Sequence, residues 1–308
     1  MPAEPYDLLV AGIGPAGMTA AMYGQRLGLR TAAFGDIPGG SLYMIERLTN
    51  FPGFSEPIAG MELGAKLFQQ TQAEGAHLTM TRMGKLRHIQ GLFHAVDDNG
   101  QAYTAPSAII ATGRVPTRLP FVNAELQGVH FCSVCDGPLY RNKNATLAVV
   151  GSDNSAAQHA LTLSRIAQKV LLIHRSGKAQ MDAAHADMLS RQENVQRIPG
   201  TEVVGCEGNG IVEALILKSH SHESEKLSVG GLFLAIGWRP NTHFIDFTIA
   251  KTADGYLETD TNLMTSRPGL FAAGDVRDTD LWQVLTACAD GARAARCAGG
   301  YISAISKG

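Results

Sequence analysis

Twice in this chain a short apolar run leads through a glycine-marked turn into an Ala-rich helical pattern and then into a second apolar run. The first copy comprises Asp7–Ala11, the turn Gly12-Ile13-Gly14-Pro15-Ala16-Gly17, a helical pattern from Met18 to Leu27 and a strand pattern near Thr31–Phe34. The second comprises Thr146–Val150, the turn Gly151-Ser152-Asp153-Asn154-Ser155-Ala156, a helical stretch to Gln168 and the strand Val170–Ile173. Strand, helix and strand in this order favour parallel sheets with helices on both faces. The chain therefore predicts an α/β fold with two nucleotide-binding-type domains, and 308 residues is the length that about two domains need.

Proline and glycine mark where one domain interrupts the other. Gly113-Arg114-Val115-Pro116 leaves the first domain and Gly237-Trp238-Arg239-Pro240-Asn241 leaves the second. Beyond them, Gly269–Asp275 has the pattern of a buried strand ending in a Gly-Asp turn, and Leu281–Ala298 that of a closing helix. Returned to the first domain, this tail makes residues 1–115 and 241–308 a discontinuous outer domain, with 116–240 inserted.

Gly12, Gly14 and Gly17 have the Gly-x-Gly-x-x-Gly spacing. Such glycines permit a tight turn, close approach of backbone to a pyrophosphate, and close packing of helix on strand, while the helix N-terminus faces the anion. Because the turn follows a strand and opens a helix, it predicts a bound dinucleotide. Asp36, 19 residues after Gly17, is the candidate acid for the ribose, or else a solvated loop acid.

Composition excludes several classes. Acidic residues number 28 and basic residues 26, with no basic run to neutralise a row of phosphates, which argues against a nucleic-acid partner. No segment approaches the roughly 18 uninterrupted apolar residues of a membrane span, and no leader pattern opens the chain, so a cytoplasmic location is expected. Five cysteines are too few and too scattered for a disulfide framework. Two of them, in Cys132-Ser133-Val134-Cys135, are spaced for a redox dithiol, with Asp136 next in line. A zinc site would need a second pair, whereas Cys206, Cys288 and Cys297 are isolated and expected to be buried small hydrophobes. His174, His185, His220 and His222 have no metal-ligand spacing, and His220 and His222 read as an exposed loop.

Across nearly its whole length the chain resembles the low-molecular-weight thioredoxin reductases. The resemblance rests on GIGPAG at 12–17, PGGSL at 38–42, TNFPGF at 49–54, ATG at 111–113, CSVCDG at 132–137, AIGWRPNT at 235–242 and AAGDV at 272–276. It implies two Rossmann-like domains in a homodimeric flavoprotein, with FAD on the outer domain and the dithiol on the insertion. It also implies that Cys135 faces the flavin, Cys132 exchanges with a disulfide protein such as thioredoxin, and Asp136 donates the proton. FAD contacts are implied for Gly12, Gly14, Pro15, Ala16, Gly17, Gly40, Ser41, Leu42, Asn50, Ala111, Thr112, Gly113, Gly274, Asp275, Gln283 and Val284, with Asp36 as the ribose acid.

The departures concern the electron donor. In the second turn, where the family needs glycine for NADPH, this chain has Asp153, an acid expected to face the pyrophosphate. The family's two-armed clamp for a 2′-phosphate becomes His174-Arg175-Ser176-Gly177-Lys178, which keeps Arg175 and at most Lys178. Near the flavin, Ser41 replaces a usual Gln, and Trp282-Gln283 replaces an Arg-Gln pair. Trp282 is then either a ring-stacking residue or a packed aromatic of a dimer interface. The pattern resembles the branch that dispenses with pyridine nucleotides and draws on ferredoxin or other donors, including a second flavin. The alternatives are an NADPH-dependent reductase with an atypical site and a non-catalytic flavin redox sensor.

Overall fold

The computed structural model describes residues 4–45, 48, 50–120, 126–219 and 224–307, the side chains of Met44 and Cys135 excepted. Among the described residues six α-helices follow in order: α1 (Pro15–Arg26), α2 (Gly60–Ala73), α3 (Ser133–Asp136), α4 (Asn154–Ser164), α5 (Ala183–Ser190) and α6 (Val284–Ile305). His220 and His222, expected in a loop, lie outside the described residues, as does Thr49 of the TNFPGF motif. The chain divides into two compact units, Met1–Val115 with Arg239–Gly308, and Pro116–Trp238.

The discontinuous unit is built on a five-stranded parallel sheet in the order Leu270–Ala272, Ser107–Ile110, Leu8–Ala11, Thr31–Phe34, His77–Thr79. Its central strands are buried on both faces, which is why they read as continuous apolar runs. One face carries α1 and α6, whose Met18, Ala20, Ala294, Ala295 and Ala298 share a core with Leu8, Val10, Ile109 and Phe271. The other face is not helical, contrary to the expectation of helices on both sides. It is covered by an antiparallel meander of Met83–Ile89, Leu92–Asp97 and Ala102–Ala105, which buries Leu86, Phe93 and Tyr103 against Phe34. Period-2 burial along Leu92–Asp97, and the positive φ values of Gln90, Gly91 and Gly100 at the bends, make this segment a meander rather than a crossover helix.

The inserted unit repeats the plan. Its parallel sheet runs Val129–His130, Gly231–Leu234, Thr146–Val150, Lys169–His174, Val195–Pro199. α4 packs on one face, and the antiparallel strands Thr201–Glu207, Ala214–Ser219 and Glu225–Ser228 lie on the other. Several helix limits differ from the sequence expectation, among them α1, which runs Pro15–Arg26 rather than Met18–Leu27. α4 stops at Ser164 rather than Gln168, because Ile166 N–H tightens onto Leu163 O, Gln168 N–H leaves the helix for Ala145 O, and the Asn194 amide takes up the carbonyls of Ser164 and Ala167. α6 begins at Val284, after Gln283 and Thr286 exchange side-chain and backbone bonds in a capping box, and continues to Ile305.

α1 and α6 meet closely because small residues line both. A Cβ on Gly291 would lie 2.1 Å from Ala16 O, whereas one on Gly300, also within α6, would meet nothing within 4 Å. Gly291→Ala is therefore expected to destabilise the protein by about 1–3 kcal/mol through overpacking. Gly300→Ala is expected to stabilise by up to about 1 kcal/mol through helix propensity. Urea unfolding midpoints that move in opposite directions would bear this out, and equal midpoints would not.

Candidate functional site

In each unit the parallel sheet reverses strand order beside the first strand of its βαβ element, the place where open α/β sheets leave a crevice. In the discontinuous unit Leu8–Ala11 and Ser107–Ile110 flank that point, and the turns after them touch. Gly12 has φ +112°, and a Cβ there would fall 2.2 Å from Ala111 O. A Cβ on Gly17 would fall 1.8 Å from Gly12 O. Both positions demand glycine for packing. Gly14 differs: the nearest atoms to its hypothetical Cβ are Gly39 O at 3.9 Å and the Gly40 Cα at 4.0 Å.

Gly14 is the N-cap of α1, followed by Pro15 at the first helical positions, and the helix has neither a side-chain cap nor an acid in its first turn. The first N–H groups of the helix, at its positive dipole end, thus have no side-chain cap. Gly40, Ser41 and Leu42 form a 3₁₀ turn, tied to the first turn through Gly39 N–H and Ile13 O at 2.9 Å. Gly113, at φ +62°, is open on its Cβ side. Asn50 donates to the Gln283 Oε1 at 2.8 Å, bringing together two sequence-predicted contacts separated by 233 residues. Thr112 donates to Asn241 O at 2.6 Å, while the buried Asn241 Oδ1 has no hydrogen-bond partner. An uncapped helix end, a glycine-lined approach and an unsatisfied buried acceptor fit a dinucleotide.

Other candidates have partners of their own. Asp36 is exposed and pairs with Arg82 at 3.3 Å. Asp275 pairs with Arg114 at 3.3 Å; burial pushes its carboxyl up, Arg114 opposes this, and Asp290 adds to it. Trp282 receives the Arg114 guanidinium over its ring at 4.7 Å and lies 5.8 Å from Tyr256, so within this unit it packs on a cation and an aromatic. Val284 opens α6, and Gly274 donates its N–H to Asp290 at 3.1 Å.

In the inserted unit Cys132 is disulfide-bonded and immediately precedes α3, its carbonyl accepting from Asp136 N–H at 3.1 Å. The Cys135 side chain lies outside the described residues. Cys206, Cys288 and Cys297 are free, and they are part-buried rather than fully buried as expected. Burial pushes the Cys206 and Cys288 thiols up, Thr19 opposing at Cys288.

Sequence reasoning missed two residues beside Asp136. His130 places Nδ1 3.0 Å from Asp136 Oδ2 and Nε2 2.8 Å from the Tyr140 hydroxyl. Burial lowers the pKa of His130, with Asp136 opposing, and burial followed by Asp136 raises that of Tyr140. Only the position of His130 two residues before Cys132 could have drawn attention to it.

The second glycine turn keeps one feature of the first: Gly151 has φ +153°, and a Cβ there would lie 2.1 Å from Ala235 O. Its helix end is nevertheless occupied. Asp153 does not point outward at an incoming anion, as expected, but caps its own helix, Oδ1 accepting from Ala156 N–H at 3.0 Å. The loop after Lys169–His174 folds back over this turn. Gln180 N–H donates to Ser152 O at 2.7 Å, Asp182 N–H to Asn154 Oδ1 at 2.8 Å, and Asn154 Nδ2 to Asp182 Oδ2 at 2.9 Å. Arg175 and Lys178 are exposed.

A profile of the pyridine nucleotide-disulphide oxidoreductases matches residues 6–291. Thioredoxin reductase of Treponema pallidum is 34% identical, the match covering 97% of this chain and 98% of that protein. The chain belongs to the thioredoxin reductase family. The 34.2 kDa protein in the rubredoxin operon of Clostridium pasteurianum is 33% identical over 96% of this chain and 97% of its own length. Among solved structures, thioredoxin reductase of Lactococcus lactis superposes with a TM-score of 0.83 at 30% identity, covering 97% of this chain and 99% of that one. The protein is thus an FAD-dependent disulfide oxidoreductase. Among the described residues no helix is long and apolar enough to cross a membrane.

Because Gly14 has free space in the bare chain, Gly14→Val is expected to fold and to lose FAD, while Gly17→Val is expected to destabilise the fold itself. Circular dichroism and the flavin absorbance of the purified variants check this; full flavin occupancy in Gly14→Val would contradict it.

Proposed function

We propose that this thioredoxin-reductase-family protein reduces a protein disulfide such as that of thioredoxin through Cys132 and Cys135, and that its electrons come from a low-potential donor such as ferredoxin rather than from NADPH. The observation that carries the donor assignment is the Asp153 cap on α4. A diphosphate at a helix N-terminus needs free N–H groups and a positive end. Asp153 occupies one of those donors and adds a negative charge. At about 4 Å and an effective dielectric near 20, two like unit charges repel by about 4 kcal/mol. Displacing an N-cap costs about 1 kcal/mol more. Since each 1.4 kcal/mol is tenfold, repulsion alone weakens a pyrophosphate by roughly a thousandfold. The bonds from Gln180 and Asp182 to the turn act in the same direction, holding the loop where the dinucleotide would approach.

The α1 end, Gly40–Leu42, Ala111–Gly113, Asn50, Asp275 and Gln283 would hold FAD, which supplies the electron pair that opens the Cys132 disulfide. Opening that bond takes two electrons and two protons and leaves two thiols. Cys132 then attacks the substrate disulfide, one substrate sulfur departs as a thiolate that takes up a proton, and Cys135 attacks the mixed disulfide to release the second. Asp136, one turn from Cys132, is the acid–base group for these transfers. An NADPH-dependent reductase is the second reading, and the glycine conformation retained at Gly151 favours it.

Under anaerobic conditions, millimolar NADPH or NADH is expected to leave the flavin oxidised, while dithionite or reduced ferredoxin bleaches it. Asp153→Gly with Ser176→Arg is expected to shift the protein toward NADPH. Rapid bleaching of the wild type by micromolar NADPH would establish the second reading instead. For the dithiol, Cys132→Ser is expected to abolish turnover and Cys135→Ser to trap substrate on Cys132; a substrate adduct on Cys135 in Cys132→Ser would reverse the two roles.

A further inference from the structure

The hydrogen-bond array around His130 admits one self-consistent arrangement of protons. A neutral imidazole has one N–H donor and one acceptor nitrogen, and an ionised carboxylate only accepts. The Tyr140 hydroxyl is buried, carries one hydrogen, and has His130 Nε2 as its hydrogen-bond partner among the described residues. If Tyr140 donates to Nε2, the ring proton sits on Nδ1 and points at Asp136 Oδ2, 3.0 Å away. The opposite tautomer leaves the tyrosine hydrogen without an acceptor and sets a nitrogen lone pair against the carboxylate.

The ring has little freedom to depart from this arrangement. Phe233 stacks on it at 4.8 Å, and the edge of Tyr140 meets it at 5.6 Å. Burial holds the imidazole toward its neutral form. Among the described residues, the ionisable groups beside the array include Asp136 from α3, which Cys132 precedes, Tyr140 from the 3₁₀ turn Gly137–Tyr140, and Lys143, whose Nζ lies 5.7 Å from the Tyr140 ring centre. α4, packed in the same core, brings His159, which burial also holds toward neutrality. The strand Gly231–Leu234, which carries Phe233, has no ionisable side chain.

We propose that His130, locked as its Nδ1–H tautomer by the Tyr140 hydroxyl, is the positioning residue that orients Asp136 for proton exchange with Cys132. This deepens the function proposed above and rests on it. When Cys132 attacks a disulfide, its S–H proton passes to the Asp136 carboxylate and a Cys132–sulfur bond forms. The substrate S–S bond breaks, and the departing sulfur takes the proton from Asp136. Cys132 is oxidised and the substrate sulfur reduced. His130 touches neither sulfur: its N–H fixes the carboxylate's direction through both transfers.

The test uses the reduced flavoprotein and a small aromatic disulfide, dithiobis(nitrobenzoate), in single-turnover exchange across a range of pH, which bypasses the electron donor. His130→Phe, which preserves ring packing and removes both hydrogen bonds, is expected to slow exchange about tenfold and to flatten its pH profile. His130→Asn, whose amide N–H stands near the position of Nδ1, is expected to recover most of the rate. Nitrogen-15 spectra of labelled histidine are expected to report the Nδ1–H tautomer in the wild type and a mixture of tautomers in Tyr140→Phe. Wild-type rate and pH profile in His130→Phe, or an Nε2–H tautomer in the wild type, would overturn the proposal and leave His130 a packed core residue. Equal exchange by wild type and Cys132→Ser would instead overturn the dithiol reading, and this role for His130 with it.

Discussion

The unpaired N–H groups at the start of an α-helix are the constraint on which both units turn. A helix that begins at the switch point of a parallel sheet presents those donors to a crevice, where something must satisfy them. The chain answers the problem in two ways. At α1 no side chain caps the helix, the approach is lined by glycine, and a buried acceptor on Asn241 waits without a partner. At α4 the same backbone turn, with the same close contact between a glycine and the carbonyl of the neighbouring strand's successor, is closed by the chain's own carboxylate.

This difference separates two kinds of glycine that a motif treats alike. Gly12, Gly17 and Gly151 are needed because backbone oxygens stand where a Cβ would be. Gly14 has no such neighbour, so the free space beside it has meaning only with respect to a ligand. In the second turn the packing glycine survives at Gly151 and the ligand-facing position has become Asp153. The fold of that unit is thereby preserved, while Asp153 takes one of the N–H groups at the start of its helix.

The proposed thiol chemistry sits in the same unit and would draw on a different physical device. α3 is a single turn, too short to hold its side chains in place by its own hydrogen bonds. Rigidity at Asp136 comes from outside that turn, through His130 on a sheet strand and Tyr140 on the following 3₁₀ turn, both set in the aromatic packing around Phe233.

Much of the fold was legible in the sequence because its signals are local. A strand fully buried on both faces must be a continuous apolar run, and a helix entered through Gly12–Gly17 must follow a strand directly. The meander after His77–Thr79 was not anticipated, since alternating burial over a few residues, as at Phe93, Ala95 and Asp97, is a weak signal beside a strong helical one. The start of α6 was misplaced because a capping box built from Gln283 and Thr286 is not the common Ser/Thr to Glu pattern. What the sequence by itself determined was therefore the family, the two βαβ elements and the types of residue available for chemistry. Only the tertiary structure decided what those residues face. Asp153 turns inward to cap its helix, and His130 meets a carboxylate and a phenol. Asn50 reaches Gln283 across 233 residues. Side-chain direction at these points is set by packing between segments distant in the chain, and no local pattern of residues encodes it.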